Sequence, residues 1–211
     1  MKKKDYILSL IDEGEHVHQD FKYQISDARK IARSISAFAN NSGGRLLIGV
    51  KDNGNIAGVR SDEEIYMIEQ AASMYCKPEQ NVSFTIYNIE GKNVLKVDIL
   101  EALDKPVKAQ DDNGKWKTYY RVKDENILAS STHVKILKNS VDETKGASIT
   151  FTDREKSLLS YLREHGGITM TGITRLLHCS RSAADQLVVN LCGMDIIEVN
   201  YHEGNCLIAL K

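Results

Sequence analysis

The stretch "AFANNSGGRLLIGVKDNG", residues 37–54, decides how the first half of this chain folds. It closes an amphipathic run that predicts a helix, with Ser26 or Asp27 as the N-cap. Gly43 and Gly44 end that helix, and the nearly all-apolar run RLLIGV predicts a strand buried on both faces. The Asn53-Gly54 pair then supplies the positive φ that a tight turn requires. The stretch therefore predicts a helix, a buried strand and a turn.

The segments on either side of this stretch extend the prediction to a sheet. Upstream, "EHVHQDFK", residues 15–22, alternates enough to form a strand, which we expect to run beside the strand around Val50. Downstream, a second helix is predicted over residues 61–76, and two hairpins follow with turns at 90–91 and 111–114. Strands and hairpins with a few helices predict an α+β fold, with a mixed sheet and helices packed on it.

Residues 150–211 follow a different pattern, dominated by helices. Thr152 stands three residues before Glu155, which is a capping-box spacing, and two further helical segments follow. Residues 196–211 then predict two strands. Three helices followed by a hairpin form the plan of a winged helix, a relative of helix-turn-helix. We therefore divide the chain into an α+β domain (1–138), a polar linker (139–149) and a winged-helix domain (150–211).

Composition limits the classes of function. The chain is 42% hydrophobic and 27% charged, which is typical of soluble globular proteins, and its net charge of -1 provides no global basic field. Any nucleic-acid site must therefore be a local patch. The four cysteines lack zinc-binding spacing. Without a signal-peptide pattern or an apolar run of about 18 residues, we expect a cytoplasmic protein and no membrane partner.

Two stretches, residues 15–22 and 37–54, carry a family resemblance. The family pattern E-x4-E-F-K, followed by A-F-A-N-x-x-G-G and G-V-x-D-x-G, matches this chain at Glu15, Phe21, Lys22, Ala37 to Asn40, Gly43, Gly44, Gly49, Val50, Asp52 and Gly54. The chain thus resembles the Schlafen AlbA-2 domain over roughly residues 10–135, a bacterial domain also labelled DNA-binding or divergent AAA-4. Asp20 departs from the pattern, since the family usually has glutamate there.

The resemblance implies a candidate metal site. In nuclease members of the Schlafen group three carboxylates form a metal-dependent RNA-cleaving site, and the matching positions are Glu15, Asp20 and Asp52. Mg²⁺ or Mn²⁺ would suit such oxygen ligands, and no other cofactor is indicated. The residues alone also allow a structural alternative. Asp52 can begin the Asn-Gly turn, and the other two acids can pair with Lys22 or Arg45.

The most basic and aromatic stretch of the chain is residues 115–123. Its candidate nucleic-acid contacts are Lys115, Lys117, Tyr119 and Arg121. The alternative is an edge strand whose lysines oppose aggregation while its aromatic residues pack inward. Lys22 is a further candidate, although it can equally pair with Asp20.

In a winged helix the third helix enters the DNA major groove. The groups available there include Arg181 and Gln186, with Arg175 just before the helix. These features predict a nucleic-acid-binding protein, specifically a DNA-binding transcriptional regulator, and a homodimer would suit paired half-sites. The alternatives are a metal-dependent endoribonuclease acting on structured RNA and a protein-docking module. Enzymatic activity is therefore left open.

Overall fold

The chain folds into alternating helices and strands, and the computed structural model describes residues 3–59, 62–139, 151–202 and 204–211. The helices are α1 (Lys3–Glu13), α2 (Ala28–Asn40), α3 (Glu63–Met74), α4 (Ser131–Asn139), α5 (Asp153–His165), α6 (Met170–Leu176) and α7 (Arg181–Gly193). The strands are β1 (Gln19–Lys22), β2 (Gly44–Ile48), β3 (Cys76–Lys77), β4 (Val82–Ile89), β5 (Lys92–Ile99), β6 (Lys108–Gln110), β7 (Trp116–Val122), β8 (Glu125–Leu128), β9 (Ile197–His202) and β10 (Asn205–Leu210). Two compact units result, one ending at Ala129 and the other beginning at Ser130.

The first unit contains a mixed sheet in the order β1-β2-β5-β4. Strands β1 and β2 run parallel, with Phe21 opposite Leu47, and the other pairs are antiparallel. The side-by-side placement of these two segments and the α+β class are therefore confirmed. A second sheet of this unit, with antiparallel pairs, has the order β3-β6-β7-β8.

Strand β2 is buried on both faces, as its apolar sequence predicts. Leu46 and Ile48 pack in one core with Phe38 of α2, while Leu47 packs on the other face with Ile7 of α1. All five side chains are fully buried. Because helices cover both faces, a continuous apolar run is stable here where an alternating run would bury polar groups.

Local chemistry sets both ends of α2. The Asp27 carboxylate accepts a hydrogen bond from the Arg29 N–H at 2.8 Å, which makes it the N-cap. At the other end the Gly43 N–H donates to the Phe38 carbonyl at 3.0 Å, with Gly43 at φ +75°. A Cβ on Gly44 would lie 2.3 Å from the Phe38 ring, so this position also requires glycine. The glycine pair therefore ends the helix.

The second unit contains α4 to α7 and the antiparallel pair β9-β10. The predicted capping box of Thr152 and Glu155 is present at the start of α5. Helix α4 was not anticipated, and the sequence placed residues 130–138 with the first domain. In the structure α4 packs against α7 within the second unit, because its polar side chains bind the α7 residue Asp185. Residues 140–149 of the predicted linker lie outside the described residues.

Membrane-spanning potential can be assessed over the same ranges. No helix within the described part of the chain combines the length and the apolar character that crossing a bilayer requires.

Candidate nucleic-acid interface

Asp20 on β1 is a buried carboxylate surrounded by cations and donors. Its Oδ2 atom lies 2.8 Å from the Lys22 Nζ, and its Oδ1 atom lies 3.4 Å from an Arg121 Nη. The Ser34 hydroxyl also faces Oδ2 at 3.4 Å. The Asp20 charge is therefore compensated inside the protein, and Lys22 makes the ion pair that was its structural alternative.

Glu15 lies beside Asp20 and accepts a hydrogen bond from the Phe21 N–H at 2.8 Å. Burial raises the pKa of the Glu15 carboxyl, and a hydrogen bond with Asp20 raises this pKa further. The structure therefore brings together two of the three acids that the sequence singled out.

Asp52 does not complete a metal site with these two acids. It is exposed in the turn that the Lys51 N–H closes by donating to the Asn55 carbonyl at 3.0 Å. Across the described ranges, no three His, Cys, Asp or Glu side chains form a group that could hold a metal ion. The cations on Asp20 would also compete with a divalent ion for its oxygens. These residues therefore do not fit the Mg²⁺ or Mn²⁺ site that the resemblance implies.

Arg121 was a candidate surface contact, but its side chain is only 1% exposed. It donates to the Gln19 carbonyl at 3.1 Å and to the Asn126 amide oxygen at 3.0 Å, and it lies over the Phe38 ring. Strand β7 leaves an exposed loop and then packs against α2, which buries Arg121 although Lys115, at the other end of this stretch, is exposed. This residue has no surface with which to contact a nucleic acid.

The β6–β7 hairpin keeps the other basic candidates near the surface. Lys115 is exposed, and the Lys117 Nζ lies 2.8 Å from the Asp111 Oδ2. The hydrogen bond from Lys117 lowers the pKa of Asp111 to about 2, and the Lys115 and Asn113 backbone N–H groups add to this effect. Tyr119 is half-buried against the core, so its ring contributes mainly to packing.

Helix α2 holds this hairpin through two buried polar side chains. The Ser36 hydroxyl donates to the Val107 carbonyl at 2.9 Å and accepts from the Tyr119 N–H at 3.2 Å. The Asn40 amide donates to the carbonyls of Val107 and Tyr119, each at 2.8 Å, and accepts from the Val107 N–H at 2.7 Å. The asparagine of the A-F-A-N motif thus joins helix to hairpin.

Arg33, one turn before these residues on α2, was not among the sequence candidates. Its Nη2 atom lies 2.9 Å from the Asp112 Oδ2 at the tip of the hairpin. The hydrogen bond to Asp111 raises the pKa of Lys117, while the charge of Arg33 acts in the opposite direction. In the sequence, Arg33 is recognisable only as a basic residue on the polar side of an amphipathic helix, and this position does not indicate which residues it contacts.

In the second unit, α7 begins at the Ser180 N-cap and exposes one polar side. The Ser180 hydroxyl accepts from the Ala183 N–H at 3.2 Å. Ser182 and Gln186 are exposed, and the Gln186 amide donates to the Asn190 oxygen at 2.8 Å. Arg175 is exposed in the last turn of α6.

Buried Asp185 organises the start of α7. Its carboxylate accepts from Thr132 at 2.7 Å and pairs with Lys135 at 2.5 Å, and Arg181 lies 3.3 Å away. Burial acts to raise the pKa of Asp185, but the hydrogen bonds from Lys135 and Thr132 outweigh it, and this pKa is lowered. Arg181 and Lys135 therefore form a pair of half-exposed cations on one carboxylate. Lys135 was missed because α4 was missed.

Comparisons with known proteins identify the family. The model of the family described as Schlafen, AlbA_2 matches residues 15–130, more than half of the chain. No curated protein matches.

Several solved structures are similar to the chain. The DIP2311 protein of Corynebacterium diphtheriae has 18% identity and a TM-score of 0.45, over 90% of this chain and 34% of that one. The N-terminal domain of a RecG-related protein of Nitrosomonas europaea has 21% identity and a TM-score of 0.43, over 63% and 97%. Bordetella bronchiseptica BpsR, whose DNA binding is regulated by 6-hydroxynicotinic acid, has 14% identity and a TM-score of 0.27, over 36% and 53%.

The chain thus spans only about a third of the Corynebacterium protein and about half of BpsR. The match of the family model includes β1, α2 and β2 and all the motif residues from Glu15 to Gly54. The chain therefore belongs to the Schlafen AlbA_2 family.

Proposed function

We propose that this protein binds nucleic acid and that its second unit contacts duplex DNA as the winged helix of a transcriptional regulator. The observation that supports this proposal best is the start of α7. There Arg181 and Lys135 share the buried Asp185 carboxylate, beside the exposed polar side chains of Ser182 and Gln186. Membership of a family labelled DNA-binding supports the broader part of the proposal.

Two cations on one buried carboxylate leave a local excess of positive charge at this end of α7. Local positive charge supplies most of the affinity for DNA backbone phosphates. The amide of Gln186 can read base edges in a major groove, since Asn and Gln form paired hydrogen bonds with adenine. Arg175 would bind a further phosphate just before α7. A homodimer would place two such helices on paired half-sites.

Fluorescence anisotropy of the full chain with labelled duplex DNA at several salt concentrations tests this proposal. We expect Arg175→Ala/Arg181→Ala to weaken binding and to reduce the salt slope by about 2, because each arginine would neutralise one phosphate. Arg154→Ala/Arg163→Ala is the matched control, because it removes two exposed arginines from α5 of the same unit. Equal weakening by both double variants would reject α7 as the DNA-binding element.

The ribonuclease alternative has less support. Asp20 is paired with two basic side chains, and Asp52 lies in an exposed turn. We therefore expect the protein to leave tRNA intact when it is incubated with Mn²⁺ or Mg²⁺. Cleavage that is abolished by Glu15→Gln and also by Asp52→Asn would overturn this expectation and support the nuclease alternative.

A further inference from the structure

The first unit carries a basic surface that joins α2 to the β6–β7 hairpin. We call it the Arg33 patch and define it as Arg29, Arg33, Lys115 and Lys117. Arg29 and Arg33 are one turn apart on α2, and Arg29 stacks on the Tyr75 ring at 4.7 Å. Adjacent carboxylates at the hairpin tip contact the Arg33 and Lys117 side chains, so both cations lie at the same place on the surface.

The two adjacent carboxylates have different roles. Asp111 is buried and accepts hydrogen bonds from the Asn113 and Lys115 N–H groups, each at 2.9 Å, which shapes the turn. Asp112 is 64% exposed, and within the described residues its side chain makes no ion pair except that with Arg33. Asp111 therefore fixes the turn without a contribution from Asp112.

The hairpin also does not need Asp112 to stay on α2. Ser36 and Asn40 already bind its backbone through five buried or part-buried hydrogen bonds. The Arg33–Asp112 pair joins the same two elements at their exposed edge, where ion pairs are weak. Moreover, the Nε of Arg33 is buried without a hydrogen-bond partner among the described residues, so this guanidinium is incompletely satisfied. These features make the pair easy to exchange.

We propose that the Arg33 patch binds phosphate groups of a nucleic-acid backbone, and that the Asp112 carboxylate occupies the phosphate position on Arg33 in the free protein. A guanidinium binds carboxylate and phosphate oxygens with the same forked geometry, so an incoming phosphate can replace Asp112 without rearranging α2. Lys117 and Lys115 would hold neighbouring phosphates. The inference rests on the proposed nucleic-acid binding but assigns a site in the other unit.

The test uses the full chain with Arg175→Ala/Arg181→Ala, so that the proposed α7 contact is removed. Labelled single-stranded RNA, single-stranded DNA and duplex DNA of equal length are the probes. We expect Asp112→Asn to tighten binding about 3-fold, because the competing carboxylate charge is removed. We expect Arg33→Ala to weaken binding about 5-fold and to lower the salt slope by about 1. The probe that gains most from Asp112→Asn identifies the strand type.

Glu90→Gln is the matched control. Glu90 is an exposed acid of the same unit that pairs with Lys4 at 2.8 Å, and it is remote in sequence from the patch. The Glu90→Gln substitution removes the same charge as Asp112→Asn. It should leave binding unchanged. If Glu90→Gln tightens binding as much as Asp112→Asn does, the effect is one of total charge and the proposal is rejected.

A second variant keeps the test independent of folding. Arg33→Lys retains the charge and should bind more tightly than Arg33→Ala, whereas equal binding by both variants and the parent would also reject the patch. Failure of the patch leaves the α7 proposal untouched, because that contact is tested by Arg175→Ala/Arg181→Ala alone. Conversely, an inactive α7 does not affect the response to Asp112→Asn.

Discussion

The Arg121 guanidinium lies 3.4 Å from the Asp20 carboxylate, and both side chains are almost completely buried. The two residues come from different sheets of the first unit, since Asp20 is on β1 and Arg121 is on β7. Arg121 also donates to the Gln19 carbonyl at 3.1 Å, so it binds β1 through both a side chain and the backbone. This ion pair therefore links the two sheets around α2.

Removing Arg121 should destabilise the first unit strongly. Breaking one partner of a buried ion pair typically costs about 3 to 5 kcal/mol, because the other charge stays buried, and we expect a cost near the lower value for Arg121→Met since Lys22 still contacts Asp20. Urea unfolding followed by the fluorescence of Trp116, the single tryptophan, measures the change. Adding Asp20→Asn should restore part of the stability. The exposed pair Lys4–Glu90 is the control, and a similar loss in Glu90→Gln would contradict the prediction.

Glu15 should contribute more to the stability of the first unit at mildly acidic pH than at neutral pH. Burial and the hydrogen bond with Asp20 raise the pKa of Glu15 above its ordinary value of 4.5. The folded state therefore binds a proton more readily than the unfolded state, so this contribution to stability falls as pH rises through the raised pKa. We expect Glu15→Gln to be more stable than the wild type at pH 7, with the difference shrinking toward pH 4.5. A pH-independent difference in urea midpoints would refute this.

His133 should have the opposite effect in the second unit. Burial lowers its pKa from 6.5 to about 4, so the folded state keeps the imidazole neutral while the unfolded state takes up a proton. Its contribution to stability is complete above pH 6.5 and is lost as pH falls to about 4, with a loss of up to about 3 kcal/mol.

Hydrogen exchange in residues 184–202, corrected for intrinsic rates, measures this dependence. His133→Gln should flatten it, because glutamine does not titrate and can still bond with Tyr201, which lies 2.9 Å from the His133 Nδ1. His165→Gln is the control, since His165 is exposed on α5. An unchanged dependence in His133→Gln would assign the titration to another group.

The sequence predicts the elements of the first unit well where their signals are local. Apolar continuity identifies β2, and the two cap candidates Ser26 and Asp27 place the start of α2 to within one residue, because capping and burial act within a few residues. The segment after the Asn53-Gly54 turn does not form a regular strand. It makes a single bridge, Val50 to Ile56, because the Ala57 and Gly58 N–H groups both donate to the Gly49 carbonyl and turn the chain away.

The candidate sites depend on contacts between residues that are distant in the sequence, and the periodicity of a sequence does not predict such contacts. Arg33 and Asp112 are 79 residues apart, and Arg121 meets a carbonyl 102 residues away. Lys115 and Arg121 are six residues apart, an even spacing that a regular strand places on one face, but the packing of α2 buries only Arg121. Lys135 depends in the same way on the packing of α4 against α7. Only the Lys22–Asp20 pair, two residues apart on β1, could be anticipated from spacing.

The glycine that ends α2 should tolerate substitution less well than a glycine in a surface turn. Gly43 and Gly54 both have positive φ, +75° and +79°. A Cβ on Gly43 would also lie 2.8 Å from the Ile99 carbonyl oxygen, whereas on Gly54 the nearest atom is a side-chain methyl of Ile11 at 3.4 Å. Left-handed backbone costs an alanine about 1 to 2 kcal/mol, and we expect only this for Gly54→Ala.

For Gly43→Ala we expect a decrease of about 3 kcal/mol or more in the free energy of unfolding, because the backbone of β5 must also move away from the new methyl group. Urea unfolding followed by Trp116 fluorescence compares the two variants in the same unit. Equal decreases would mean that the contact with Ile99 relaxes freely and that Gly43 is required only for its φ. A larger decrease in Gly43→Ala would show that the end of α2 is fixed by its close approach to β5.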